Sequence, residues 1–158
     1  MKKITSSFTI LLLATSLFLN SCDKDSNDGP TTIELITDSP WLFSKATASG
    51  VDVSALVQTC VKDNRLTFSQ GSPSNTGNLN EGTTKCNAAD PQQIEFTWTY
   101  DASFQKIAIT SVGGGTLPIL PGGSNEFTLV SVDEMQMVLS QTVTFSGTAQ
   151  VVQVTLVH

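Results

Sequence analysis

The chain has 158 residues, of which 14 are acidic and 8 basic, giving a net charge of −6, and only 14% of its residues are charged. The length is that of one ordinary domain, and the charged share, against roughly a quarter in typical domains, argues against a coiled coil. The acidic balance argues against a nucleic-acid partner, because an acidic surface repels phosphate backbones.

Residues 1–21 have the features of a bacterial export signal. Lys2 and Lys3 give a short positive segment, and the apolar residues 8–19 follow. About twelve apolar residues are too few to span a bilayer, which needs about twenty, so we predict a cleaved signal peptide. Its removal takes away two lysines and no acid, which leaves 6 basic and 14 acidic residues and a net charge of −8.

The next feature is LNSC at residues 19–22. It resembles the lipobox of bacterial lipoproteins, with an apolar residue three positions before the cysteine and a small residue directly before it, although Asn20 departs from the usual small or aliphatic preference. The resemblance implies that Cys22 is lipidated and anchors the chain to the outer membrane, since several acyl chains hold a protein stably where one does not. Secretion after cleavage nearby is the alternative.

Residues 22–37 are expected to hold the lipid anchor and an acidic, flexible linker, because residues 23–32 are polar and acidic and contain a Gly-Pro pair. The loop position of a calcium site that requires glycine is occupied by Asp28, so we predict no metal here. Four residues nevertheless have calcium-ligand spacing: Asp23, Asp25, Asn27 and Glu34. The acidic stretch is compatible with display on the cell surface and equally with a plain linker on the periplasmic face.

Two cysteines remain once Cys22 carries lipid. In an oxidising compartment this even remainder, Cys60 and Cys86, indicates one disulfide. The sequence has no CxxC motif or Cys/His cluster, so we predict no zinc site, redox site or cofactor.

Alternating apolar and polar residues predict strands through most of the remaining chain. The pattern is clearest in IEFTWTY, residues 94–100. Further strands are predicted at residues 41–48, 65–70, 104–110, 126–132, 135–145 and 150–158, with a weak one near 79–84. Residues 51–60 are ambiguous and allow a short helical turn, residues 71–78 form a turn cluster, and residues 112–123 form a long hairpin connection.

These seven or eight antiparallel strands predict an all-β domain over residues 38–158. Sequential hairpins favour an up-and-down barrel of about eight strands, which removes sheet edges. A β-sandwich is the alternative, because alternation and turn spacing look alike in both folds.

Several motifs in this domain follow a distinctive order. A strand with Trp41 comes first, CVKDNRLTF follows at residues 60–68, a second cysteine lies in EGTTKCNAADPQ at 81–92, and Trp98 lies in the next strand. In this order the chain resembles the small lipocalin-like lipoproteins of Gram-negative bacteria. The resemblance implies a compact antiparallel barrel with a disulfide, and an interior able to hold a small apolar ligand. It implies no particular ligand or activity, because one fold serves many functions.

The barrel interior is the candidate binding site. A barrel of eight strands is either filled by its own side chains or keeps a cavity for one ligand, so ordinary core packing is the alternative for every candidate. The candidate ligand-lining residues are the aromatic residues Trp41, Phe96, Trp98, Tyr100 and Phe127. Residues 117–120, LPIL, are expected to cap one barrel end or to form an exposed contact patch.

No catalytic constellation is predicted, and we do not expect an enzyme. The sole histidine, His158, ends the chain, where fraying is usual, and Asp63 is expected to hydrogen-bond nearby backbone in a turn. A glycosidase pair is not expected from the carboxylates, which fall mostly in turns or on solvent-facing positions: Asp52, Asp63, Glu81, Asp90, Glu95, Asp101 and Glu126. We expect an envelope lipoprotein that binds a small hydrophobic or amphipathic ligand. The alternative is a structural or protein-interaction lipoprotein with a filled barrel.

Overall fold

A computed structural model describes residues 29–38, 40–112, 124–145 and 147–158. Within these ranges the strands are β1 (Trp41–Ala48), β2 (Val51–Asp52), β3 (Arg65–Ser69), β4 (Asn75–Asn80), β5 (Gln93–Asp101), β6 (Lys106–Val112), β7 (Glu126–Val132), β8 (Gln136–Phe145) and β9 (Thr148–Val157). The helical segments are α1 (Thr32–Thr37), one 3-10 turn (Ser54–Leu56) and α2 (Thr59–Lys62). The predicted all-β class is confirmed.

Eight of these strands close into an antiparallel barrel. Strands β3 to β9 pair in chain order, and β1 pairs with β9 along most of its length. The pairing between β1 and β3, which closes the barrel, is short, because only Trp41 and Leu42 of β1 pair with β3. The short strand β2 pairs with the other end of β1 as a hairpin. The predicted up-and-down barrel is therefore confirmed, and the chain does not form the sandwich considered as its alternative.

The strands bury alternate residues, as their sequence pattern predicts. In β5, Phe96 and Trp98 are buried while Glu95 and Thr99 are not. In β8 the alternate residues Met137 and Leu139 are buried. Met135 belongs to the strand predicted at residues 135–145 but precedes β8 and is 78% exposed, because Asp133 forms a turn and accepts hydrogen bonds from the backbone N–H groups of Met135 and Gln136.

The folded domain begins earlier than residue 38. Residues 32–37, expected within a flexible linker, form helix α1, which a capping box starts: Thr31 Oγ1 accepts from the Glu34 backbone N–H, and the Glu34 carboxylate accepts from the Thr31 backbone N–H. Ile36 of this helix is fully buried in the barrel core. The linker prediction is therefore wrong for α1, and its first part, residues 22–28, lies outside the described residues.

Strand β4 was also placed incorrectly, since residues 71–78 were expected to be a turn cluster. β4 begins at Asn75 and pairs with β3 on one side and β5 on the other. The polar, glycine-containing sequence of β4 lacks the usual apolar alternation of a strand. Its inward residue Gly77 has no side chain, and Phe96 of β5 covers that position instead.

Candidate functional site

An aromatic cluster fills the barrel above Gly77. This glycine lies opposite Phe68 of β3 and Phe96 of β5, whose ring centroids are 5.7 Å apart in an edge-to-face arrangement. Phe68 also meets Trp98 edge-to-face at 5.1 Å, and the Trp98 indole N–H donates to the Thr76 carbonyl at 2.8 Å. Edge-to-face contacts of this kind contribute beyond simple burial and hold the rings in place.

Trp41 joins helix α1 and the C-terminus to the barrel. Its indole N–H donates to the Ile36 carbonyl at 2.9 Å, and its ring lies 4.0 Å from the imidazole of His158, centroid to centroid. The side chain is fully buried. His158 therefore has a packing contact, a different position from the frayed end expected from the sequence.

The predicted ligand-lining residues are core residues in this structure. Trp41, Phe96, Trp98 and Phe127 are buried, and Tyr100 is half-buried against the same core. Their burial matches the core-packing alternative. Ligand contact by these five side chains stays a prediction.

A small cavity remains near Trp41, with a volume of about 20 Å³. It is lined by Trp41, Phe43, Val61, Asn64, Leu66, Leu79 and Leu156. This volume suits about one water molecule, whereas sites for drug-sized ligands have about 300–1,000 Å³. Of the five aromatic candidates, Trp41 alone contacts this space.

The side of the barrel where β1 and β3 barely meet is covered by residues 53–63, which we call the crossover segment. Its backbone and Ser54 take the place of a strand: the Val53 N–H donates to the Ala46 carbonyl at 2.9 Å, and Ser54 Oγ accepts from the Ala46 N–H at 2.9 Å. Val57 and Val61 are buried in the core, and Val61 also lines the small cavity. The crossover segment thus seals the barrel along this edge.

The predicted disulfide is confirmed and lies at this seal. Cys60 of α2 is bonded to Cys86, which belongs to residues 81–92, the β4–β5 loop. Cys60 is buried while Cys86 is exposed, so the bond joins the inner crossover segment to the loop outside it. The two segments cannot separate while the bond is intact.

Asp63 makes a second link between the same two segments. One carboxylate oxygen accepts hydrogen bonds from the Thr83 N–H and hydroxyl, both at 2.8 Å, and from the Thr84 N–H at 3.1 Å. Burial opposes ionisation, but these hydrogen bonds outweigh it and hold the pKa of Asp63 below its ordinary value. The partners lie twenty residues away, not in the nearby turn expected from the sequence. Gly82, at φ +61°, permits the approach, because a Cβ there would lie 2.6 Å from Asp63 Cγ.

Beside these links lie two buried polar side chains that the sequence did not indicate. Asn64 is 6% exposed and Glu81 is 1% exposed, although Glu81 was expected in a turn or facing solvent. Asn64 Nδ2, Asn64 Oδ1 and Glu81 Oε2 have no hydrogen-bond partner among the described residues. Burial raises the pKa of Glu81, the charges of Asp90 and Asp63 raise it further, and Lys85 opposes them. The sequence did contain one indication that Glu81 is buried. Residues 77, 79 and 81 are alternate residues of an extended chain, so they share one face.

Two predicted features cannot be placed. Cys22, the predicted lipidation residue, and residues 117–120 lie outside the described residues. Among the residues that are described, no group of three or more His, Cys, Asp or Glu side chains has an arrangement that could hold a metal ion.

Comparison with protein-family models, with curated proteins and with solved structures gave no match. In the described parts of the chain, none of the helices has the length and apolar character needed to cross a membrane.

Proposed function

We propose that this chain is a lipid-anchored β-barrel lipoprotein of the outer membrane that acts through its outer surface, in a structural or protein-interaction role, and not by binding a ligand inside the barrel. The observation that carries this proposal is the packing of the barrel interior by the described residues. The barrel core is packed with aromatic and aliphatic side chains, and the space beside Trp41 amounts to about 20 Å³.

A ligand of lipid size would have to displace core side chains. Phe96 and Trp98 are held by edge-to-face contacts with Phe68, and Trp41 is held by its hydrogen bond to Ile36. Truncating such aromatic residues in a core typically destabilises a protein by about 3–5 kcal/mol, so expelling them to admit a ligand is unfavourable on a similar scale. The small-ligand function therefore has less support than the surface function.

The surface offers apolar side chains on which a protein partner could pack. Val51 lies shortly before the crossover segment and Leu56 lies within it, and each exposes about two-thirds of its area. Phe104 and Met135 are similarly exposed, in the β5–β6 and β7–β8 turns. Buried apolar contacts of this kind form the centres of protein interfaces.

The absence of interior ligand is testable on protein purified from its own envelope. Native mass spectrometry should give the mass of the lipidated chain alone, and lipophilic probes should not quench the fluorescence of Trp41 or Trp98. A small molecule bound at one copy per chain in repeated preparations would refute the filled-barrel function.

Anchoring and partner contact need separate measurements. Cys22→Ser should release the protein from membranes, and continued lipid labelling of that variant would contradict the anchor. A photo-crosslinking residue at position 56 should capture a defined envelope protein, while one at position 95, a polar outward position of β5, serves as the matched control. Equal labelling from both positions would argue against a contact at Leu56.

A further inference from the structure

The pair formed by Asn64 and Glu81 lies at the end of the β3–β4 ladder. The register pairs Arg65 with Asn80 and Leu66 with Leu79. Continued by one residue, it places Asn64 opposite Glu81, and the close approach of Asp63 to Gly82 agrees with that continuation. Directly opposed residues of antiparallel strands have Cα atoms about 4.5–5.5 Å apart, so the two side chains lie on the same face, although Asn64 Oδ1, Asn64 Nδ2 and Glu81 Oε2 make no hydrogen bond to the residues that the structure describes.

That face is the inside of the barrel. Asn64 shares it with buried Leu66, and Glu81 shares it with buried Leu79. An ionised carboxylate is strongly disfavoured in such surroundings without a charged or hydrogen-bonding partner. Brought within hydrogen-bond distance, a protonated carboxyl can donate to the amide oxygen of Asn64 while its other oxygen accepts from the amide NH₂, which would satisfy the side-chain atoms that have no partner in the described parts of the chain.

The charged groups around the pair also disfavour a negative Glu81. Asp63 faces it from the end of the crossover segment, and Asp90 faces it from the β4–β5 loop. Lys85 of the same loop is the opposing positive charge, but its ammonium group donates to the Asp90 backbone carbonyl at 2.6 Å. Arg65 is exposed on the outward face of β3. The local balance is therefore negative even before Glu81 is counted.

We propose that Asn64 and Glu81 form a proton-dependent latch, in which the protonated carboxyl pairs with the amide and holds the crossover segment and the β4–β5 loop closed over the barrel. Loss of the proton loosens both segments, which then stay joined through the disulfide and Asp63.

The direction of the pH dependence follows from the raised pKa of Glu81. A carboxyl that is harder to ionise in the folded protein stabilises the closed form fully below its pKa in the unfolded chain. That stabilisation is lost as pH rises through the pKa of the folded state. The latch is thus closed at low pH and weakens as pH increases.

Hydrogen exchange of the full lipidated protein, corrected for the intrinsic pH dependence of exchange, tests the latch between pH 5 and pH 8. Peptides from residues 53–64 and 81–92 should open more as pH rises, by at most about tenfold in the opening constant per pH unit for one proton. Glu81→Gln, whose amide can form the proposed hydrogen bonds to Asn64 without a charge, should hold these peptides closed at every pH. Glu95→Gln, on the outer face of β5, should behave like the wild type.

Three results would overturn the latch: wild-type protection that does not change with pH, a Glu81→Gln variant less protected than the wild type at pH 8, or a Glu95→Gln variant that abolishes the pH dependence. Asn64→Ala tests the partner. It should open the same peptides already at pH 5, and unchanged protection there would exclude Asn64 as the group that Glu81 contacts.

Discussion

Replacing Gly77 by alanine tests how tightly the barrel interior is filled. A Cβ at this position would lie 2.2 and 2.3 Å from two ring carbons of Phe96 and 2.7 Å from the Thr67 carbonyl oxygen. Ordinary contacts between carbon atoms are about 3.5–4.0 Å, so the ring would have to move by more than about 1 Å. Phe68 and the neighbouring strands restrict that movement.

The expected loss of stability follows from these contacts. Overpacking a well-packed core by one methyl group costs about 1–3 kcal/mol, and we expect Gly77→Ala to fall at about 2–3 kcal/mol. The upper part of the range applies because one of the clashing atoms belongs to the backbone of β3, which cannot rotate away as a flexible side chain can.

Urea unfolding followed by tryptophan fluorescence measures this loss. Gly29→Ala is the matched control, because nothing lies within 4 Å of the added methyl group, and it should change stability by less than about 0.5 kcal/mol. Phe96→Leu should reduce the penalty at Gly77 if the ring is the main obstacle. A penalty of less than about 0.5 kcal/mol for Gly77→Ala would refute the filled interior, and full additivity with Phe96→Leu would show that the ring is not the obstacle.

Three further changes test the core and its links by the same unfolding assay. Val61→Ile extends a side chain into the 20 Å³ cavity and should stabilise the protein by up to about 0.8 kcal/mol, whereas destabilisation would mean that the space does not accept a methyl group. Replacing Cys60 and Cys86 by serine removes a link between residues 26 apart and should cost about 3.5 kcal/mol; a loss below about 1 kcal/mol would contradict the expected constraint. Trp41→Phe leaves the buried Ile36 carbonyl without its hydrogen-bond donor and should lower the stability by about 1–3 kcal/mol. Unchanged stability would show that this hydrogen bond does not stabilise the fold.

The alternation of apolar and polar residues was enough to predict most of the strands. In β5 the predicted inward residues Phe96 and Trp98 are buried as expected, because period-two patterning directly reports which face meets the core. The disulfide between Cys60 and Cys86 was likewise predicted from the number of cysteines and the expected oxidising compartment, and the structure confirms the bond.

The features that the sequence did not predict depend on distant contacts. β4 resembles a loop until Phe96 covers Gly77, which is a relation between strands. Asp63 reaches Thr83 across twenty residues, and no local pattern indicates such a partner. Helix α1 is different, because its Thr31–Glu34 capping box is a local sequence pattern, whereas the polar composition before it favours a linker.

The barrel edge between β1 and β3 connects the filled interior with the proposed latch. Only two residues of β1 pair with β3, so the crossover segment must cover the rest of that edge, and its Val61 forms part of the wall around the small cavity. A ligand entering there would have to displace the crossover segment first. An interior ligand would therefore increase hydrogen exchange in residues 53–64 at constant pH. Opening of the latch increases that exchange only as pH rises, and only while residue 81 is glutamate. Exchange measured with and without a lipophilic probe at constant pH therefore distinguishes ligand entry from latch opening.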